Sequence, residues 1–297
     1  MAITMLSPNV GYIEGSFTTV GVIFSKSGAI IVDSGWGKKD GRKILSELQS
    51  IDKKLVAIVN THNHLDHAGS NSYLQQETGC EIYCTLYESL LVLGVKTLFP
   101  ALFTGSVYPI NDGIDVYNNL EATNPVVIEA ETILEIDGIT LEIIDLAGHS
   151  HGQIGIVYEN ILFCGDAILE PAKIKETKIL FVANPPMQRK TLERLKESSY
   201  SMYVGAHGLP FSNPRESCEL VEEMLKRVER HVFEITSEPK GLDDIVCYVA
   251  NKFNLHLKQI APFNVARNTI QSMLNACIEK GEIEYLLIDN RFVYKKK

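Results

Sequence analysis

A chain of 297 residues, 45% of them hydrophobic, has ample material for one large domain, or one and a half, with a buried core. Its 28 Lys and Arg against 37 Asp and Glu leave a net charge of −9, which argues against a general nucleic-acid-coating protein. Residues 1–12 hold no basic segment followed by an apolar one, and no apolar run is long enough to span a bilayer, so the expectation is a soluble cytoplasmic protein without a membrane partner. Six cysteines (Cys80, Cys84, Cys164, Cys218, Cys247 and Cys277) form no CxxC pair, which fits a reducing compartment and small core residues.

Residues 11–13, 18–25 and 29–33 read as short strands joined by Gly-containing turns, and 40–48 as an amphipathic helix with Ile44, Leu45 and Leu48 inward. The apolar run 55–59 then enters Thr61-His62-Asn63-His64-Leu65-Asp66-His67-Ala68-Gly69, with three imidazoles and a carboxylate inside six positions. A strand projects alternate side chains to one face, so His62 and His64 can converge on one ion, and Asp66 and His67 then face a second position. A solvated turn would be the better reading of a lone histidine; this spacing favours a metal site, imidazole being the commonest metal ligand.

Residues 70–79 read as a helix closed by Gly79, and 81–84 as a strand. The stretch 87–107 is unusually apolar and broken by Pro100. Residues 132–136, 139–146, 153–158 and 161–165 form a run of strands with Asp137-Gly138 and Glu159-Asn160 as hairpin turns. Further ligands stand at strand ends: His149 in Gly148-His149-Ser150-His151-Gly152, Asp166 after Cys164-Gly165, and His207 in Gly205-Ala206-His207-Gly208. On alternation Cys164 shares a face with Asp166, although a free cysteine is more often a core residue. Residues 173–186 read as a loop whose Lys173, Lys175 and Lys178 either meet an anionic substrate or are simply solvated, ending in the turn Asn184-Pro185-Pro186.

Helices are expected over 188–198 and 214–238, with a strand over 201–205 between them. From 239 the character changes. Helices over 242–253 and 265–280 precede a hairpin of 284–288 and 292–295 around Asp289-Asn290, and helices followed by a β-wing resemble a winged helix. From Arg230 onward the charge is about +2, so the rest carries about −11. A nucleic-acid module is usually more basic, and protein contact or dimerisation is the plainer role.

The series HxHxDH, GH, GD and GHG, in this order, resembles the metallo-β-lactamase superfamily over roughly residues 10–230. The resemblance implies an α/β fold: a four-layer αββα sandwich over 1–238, followed by a small winged-helix-like α+β domain over 239–297. By motif position, His62, His64 and His149 hold one metal, Asp66, His67 and His207 a second, and Asp166 bridges both. The cofactors implied are two divalent ions, zinc foremost, with iron or manganese as alternatives. Histidine at 64, where diiron members carry Glu, favours zinc and hydrolysis, and the complete second site weighs against members that oxidise persulfides. Asp33, in a similar Asp-x-Gly turn, either braces the metal loop or only forms the turn. In the superfamily the region before the third histidine covers the cleft or builds oligomer contacts, which makes 87–107 a candidate lid or homodimer surface.

Two such ions lower the pKa of a shared water towards neutrality and polarise the attacked carbonyl or phosphoryl oxygen. Asp66 is the expected catalytic residue, orienting the nucleophile; His151 is a candidate general acid, or an ordinary surface histidine. The substrate expected is a small-molecule thioester, ester or lactone. The tail also resembles that of β-lactamase-like endoribonucleases, which keeps RNA cleavage as the alternative, with a ligand-sensing DNA-binding protein third.

Overall fold

Strands that are apolar at nearly every position must bury both faces, and the chain meets that demand by stacking two sheets and covering the outer face of each with helices. The computed structural model describes residues 3–94, 98 and 121–297. The first sheet runs in chain order: β1 (Thr4–Met5), β2 (Val10–Glu14), β3 (Thr19–Phe24), β4 (Ala29–Val32), β5 (Leu55–Val59), β6 (Glu81–Thr85) and β7 (Val126–Ile128). It is antiparallel as far as β4 and parallel from β4 to β7. The second sheet has the order β12 (Met202–Gly205), β11 (Ile161–Gly165), β10 (Ile154–Tyr158), β9 (Ile139–Asp145) and β8 (Thr132–Ile136), with only β11–β12 parallel.

Alternation sorts the side chains into three apolar layers. Ile30 and Val32 of β4 meet Leu141 and Ile143 of β9 and Ile161 and Phe163 of β11 between the sheets. Ala29 and Ile31 face outward onto Ile44 and Leu48 of α1 (Gly37–Ser50) and Leu74 of α3 (Asn71–Thr78). Ile144 of β9 and Leu162 and Cys164 of β11 face the opposite helices, α6 (Pro185–Glu197) and α7 (Pro214–Ile235). The result is the αββα order expected from the sequence.

The outer core does not stop at α7. It continues through Ile245 and Val249 of α8 (Leu242–Lys252), Ile270 and Met273 of α9 (Ile260–Glu279), and Ile283 and Tyr294 of the hairpin β13 (Ile283–Ile288) and β14 (Arg291–Lys296). Asp289 and Asn290 close that hairpin with positive φ values of 48° and 62°, as an Asp-Asn turn requires.

Several boundaries differ from the sequence reading, and prolines account for most of the differences. The charged segment after Asp166 is not all loop: Pro171 starts a short helix, α5 (Pro171–Thr177), its fixed φ suiting a first turn. Asn184-Pro185-Pro186 is not a turn before a helix but the start of α6, with the Asn184 side chain accepting from Met187 N at 3.1 Å. α9 begins at Ile260 rather than 265 because Pro262 falls in the first turn, where its missing N–H costs no helical bond. Of the apolar stretch 87–107, residues 87–93 belong to α4 (Leu86–Leu93); 95–97 and 99–107 lie outside the described residues, and the lid or dimer reading with them. No helix among the described residues is long and apolar enough to cross a membrane.

Ile143 is fully buried where the two sheets meet. Ile143→Ala should lower unfolding free energy by about 2–5 kcal/mol, read from the shift of a urea denaturation midpoint.

Candidate metal centre

Each sequence-predicted ligand leaves the carboxyl end of a strand, and the structure gathers all of these ends at one edge of the sandwich. The loop after β5 carries His62, His64, Asp66 and His67, the last two on the single turn α2 (Leu65–Ala68). His149 follows β9, Asp166 follows β11 and His207 follows β12. Two clusters result, each with its potential ligand atoms within 4.8 Å of one another: His62, His64, His149 and Asp166; and Asp66, His67 and His207.

In the first cluster His64 Nδ1 lies 3.0 Å from His62 Nε2 and 2.9 Å from His149 Nε2, and Asp166 Oδ2 lies 3.4 Å from His149 Nε2. In the second, Asp66 Oδ2 lies 3.4 Å from His207 Nε2 and 3.8 Å from His67 Nε2. Asp166 stands between them, with Oδ2 3.6 Å from His67 and Oδ1 3.5 Å from His207. Nitrogen and oxygen atoms about 2.0–2.2 Å from a shared tetrahedral cation would themselves be about 3.3–3.6 Å apart. The carboxylate–imidazole spacings of 3.4–3.8 Å fall in or near that range, while the His64 pairs at 2.9–3.0 Å are closer than it.

The outward nitrogens are pinned. His67 Nδ1–H donates to Asp33 Oδ2 at 2.8 Å, His149 Nδ1–H to the Phe181 carbonyl at 2.9 Å, and His207 Nδ1–H to the Phe17 carbonyl at 2.9 Å, which turns each Nε2 inward. His62 Nδ1 lies 3.0 Å from Thr61 Oγ1, whose hydroxyl donates to Asp33. Asp33 also accepts from Thr61 N at 2.8 Å, so it braces the histidine loop and does more than form a turn. His67 Nε2 and Asp166 Oδ1 are buried without a hydrogen-bond partner among the described residues. Inward lone pairs of this kind cost free energy unless a cation meets them, and the donor set of imidazoles and carboxylates fits a divalent ion.

Burial drives the His149 and His64 imidazoles down to about 3 and about 4, and His62 well below its ordinary range. Burial also opposes charge on His67, but Asp33, Asp66 and Asp166 outweigh it and hold that imidazole well above its ordinary value. Asp166 shows the complementary balance: burial opposes its charge, and His207, His67 and His149 hold the carboxyl well below the usual range.

Above the clusters opens a cleft of about 330 Å³, walled by Trp36, Leu65, Leu169, Leu180, Phe181 and Val265. Lys173 lines it, with its ammonium 3.4 Å from Glu176 Oε2, whereas Lys175, paired with Glu216 at 2.8 Å, and Lys178, which donates to the Asn254 carbonyl at 3.0 Å, are not among its lining residues. His151 is exposed, with its ring 5.1 Å from Tyr87, and does not line the cleft. Cys164 does not share the face of Asp166: Gly165 takes φ +51°, which re-aims the next residue, and the thiol is buried against the carbonyls of Ile168 and Val204.

Sequence reasoning missed Phe181, Thr269 and Val265. The Phe181 ring sits edge-on to His64 at 5.0 Å, and Thr269 of α9 clamps the segment on both sides of it, accepting from Val182 N at 3.1 Å and donating to Leu180 O at 3.0 Å. A backbone carbonyl as acceptor leaves no residue-type signature in a sequence.

The structure thus combines a four-layer αββα scaffold with histidines and aspartates gathered at its strand ends. The family model for the metallo-beta-lactamase superfamily matches residues 13–207, and the chain belongs to that superfamily. Hydroxyacylglutathione hydrolase from Shewanella pealeana is 27% identical over 142 residues, covering 48% of this chain and 42% of that one. Hydroxyacylglutathione hydrolase GloC from Haemophilus influenzae is 28% identical over 150 residues, covering 48% and 62%. The chain thus spans about half the length of these relatives. Among solved structures, a metallo-beta-lactamase family protein from Thermus thermophilus gives a TM-score of 0.77 at 17% identity, over 99% of this chain and 100% of that one. A beta-lactamase domain protein from Burkholderia ambifaria gives 0.77 at 18%, over 99% and 93%. That likeness is one of fold, and its coverage extends past α7 to the tail.

A Cβ at Gly165 would lie 2.7 Å from Thr61 Oγ1 in addition to forcing a left-handed alanine. Gly165→Ala should therefore lose about 1–3 kcal/mol of stability in a urea titration of metal-free protein.

Proposed function

We propose that this chain is a dinuclear metal-dependent hydrolase of small-molecule thioesters, with esters and lactones as neighbouring substrates. The observation that carries the reading is the convergence of seven ligand-type side chains in two adjoining clusters, five of them on the floor of an apolar cleft. His62, His64 and His149 with Asp166 would hold one ion, and Asp66, His67 and His207 with the other face of Asp166 the second. When bound, two divalent ions supply Lewis acidity at the attacked carbonyl and activate water as the nucleophile.

The remaining work falls to the protein. Asp66, which lines the cleft, would orient the attacking water. Trp36, Leu65, Leu169 and Val265 would desolvate an apolar acyl group, and Lys173 would meet an anionic part of the substrate at the cleft wall. Among the described lining residues, Lys173 is the one titratable group outside the seven, so no carboxylic acid or spare imidazole stands ready to protonate a leaving group. A thiolate, with a conjugate-acid pKa of about 8.5, departs without one; an alkoxide does so far less readily. The name of the relatives points the same way, since hydroxyacylglutathione is a thioester. An RNA strand finds little here: Lys173 is the one Lys or Arg in the described lining.

Purified protein should carry about two zinc ions per chain and hydrolyse a short aliphatic thioester in a chelator-sensitive way, with a lactone and a single-stranded RNA assayed in parallel. Asp166→Ala should lose turnover and bound metal together. RNA cleavage without thioester turnover would overturn the proposal. Lys173→Ala should raise KM for an anionic thioester several-fold with little change in kcat, whereas Lys175→Ala, whose partner is Glu216, should leave both unchanged.

A further inference from the structure

Glu88 is a carboxylic acid in the first turn of α4, fully buried, with no Lys or Arg partner among the described residues. Its two oxygens reach in two directions. Oε2 accepts from Asn63 N at 3.0 Å, and Asn63 is the residue between His62 and His64. Oε1 accepts from the hydroxyl of Ser150, the residue after His149, and from Gly152 N at 2.9 Å. The Glu88 backbone adds a second tie, its carbonyl accepting from Asn63 Nδ2 at 3.4 Å. Thr85, just before α4, adds a third by donating to the Gly152 carbonyl at 2.7 Å. The fit leaves no slack: a Cβ on Gly152 would fall 2.4 Å from Thr85 Oγ1 and 3.0 Å from Glu88 Oε1. Burial pushes the Glu88 carboxyl up to about 7 against the pull of its three donors.

We propose that Glu88 is a positioning residue that locks the loops 61–64 and 147–152 into one frame and thereby sets the spacing of His62, His64 and His149. The three nitrogens that bring the first cluster together, with His64 within 3.0 Å of both others, come from two loops 85 residues apart in sequence. Asp33 serves the other cluster through His67. Behind the first cluster it is the buried carboxylate of Glu88 that touches both loops. Packing alone would be satisfied by Leu or Met at this position; only a side chain that accepts on both sides serves the backbone and hydroxyl donors of the two loops at once.

The inference rests on the metal reading above, and zinc binding by the wild-type protein is its control. Glu88→Gln keeps the volume but turns an NH2 group onto one set of donors. Zinc titration against a chromophoric chelator should show the first site weakened about 10- to 100-fold, with the second constant little changed. Equal zinc affinities in variant and wild type, accompanied only by a lower melting temperature of the metal-free protein, would overturn the proposal by showing a purely structural role. If Glu88→Gln does not fold, Ser150→Ala removes one donor and should still weaken the first site several-fold; an unchanged constant there overturns the proposal too. A wild-type protein that binds no zinc would instead overturn the metal reading itself.

Discussion

The structure depends on holding seven polar side chains against one another at the foot of a cleft, with His62, His67 and His149 buried. Imidazole nitrogens 2.9–3.0 Å apart and a buried aspartate between two histidine groups make an arrangement that a cation would relieve. What makes it tenable is that the outward ends of four of the histidines are tied down: Asp33 under His67 and, through Thr61, under His62, the Phe181 carbonyl under His149, the Phe17 carbonyl under His207. The rest of the sandwich supplies the stiffness that those ties require. Two sheets buried on both faces give fixed strand ends, and the clustered histidines and aspartates sit in the loops that follow them.

The elements after α7 belong to this arrangement. Thr269 holds the backbone on both sides of Phe181, whose carbonyl orients His149, and Val265 forms part of the cleft wall. A helix in the carboxyl-terminal region of the chain therefore shapes both the setting of His149 and the wall of the cleft. Lys178, bonded to the Asn254 carbonyl, adds a surface tie between the same two regions.

The clustering of the histidines and aspartates was legible because metal chemistry demands particular residue types at short, fixed spacings, and strand ends announce themselves by apolar runs that stop at Gly or Asn. The layers were legible for a similar reason, since period-two alternation sorts Ala29 and Ile31 from Ile30 and Val32 whatever the rest of the chain does. Glu88 was hard to see because its partners stand 25, 62 and 64 residues away. One local signal existed: Glu88, Leu91 and Val92 share a helical face, and the last two are apolar enough to demand burial, which takes the glutamate inward with them. The orientation of Cys164 failed on a single backbone angle, the positive φ of Gly165, which alternation cannot anticipate. Proline is a first-turn residue in α5, α6 and α9, a start signal that the sequence reading did not use.

The bond from His207 to the Phe17 carbonyl joins residues 190 positions apart. Closing so long a loop is entropically expensive and gains nothing until both sheets have formed and docked. The inward aim of His207 is therefore a late event in folding, and the second cluster is assembled only when the amino-terminal hairpin and the strand before His207 have met. A cation that needs this histidine would find its full ligand set only in the fully docked chain, so its binding would favour the native fold over every partly assembled intermediate.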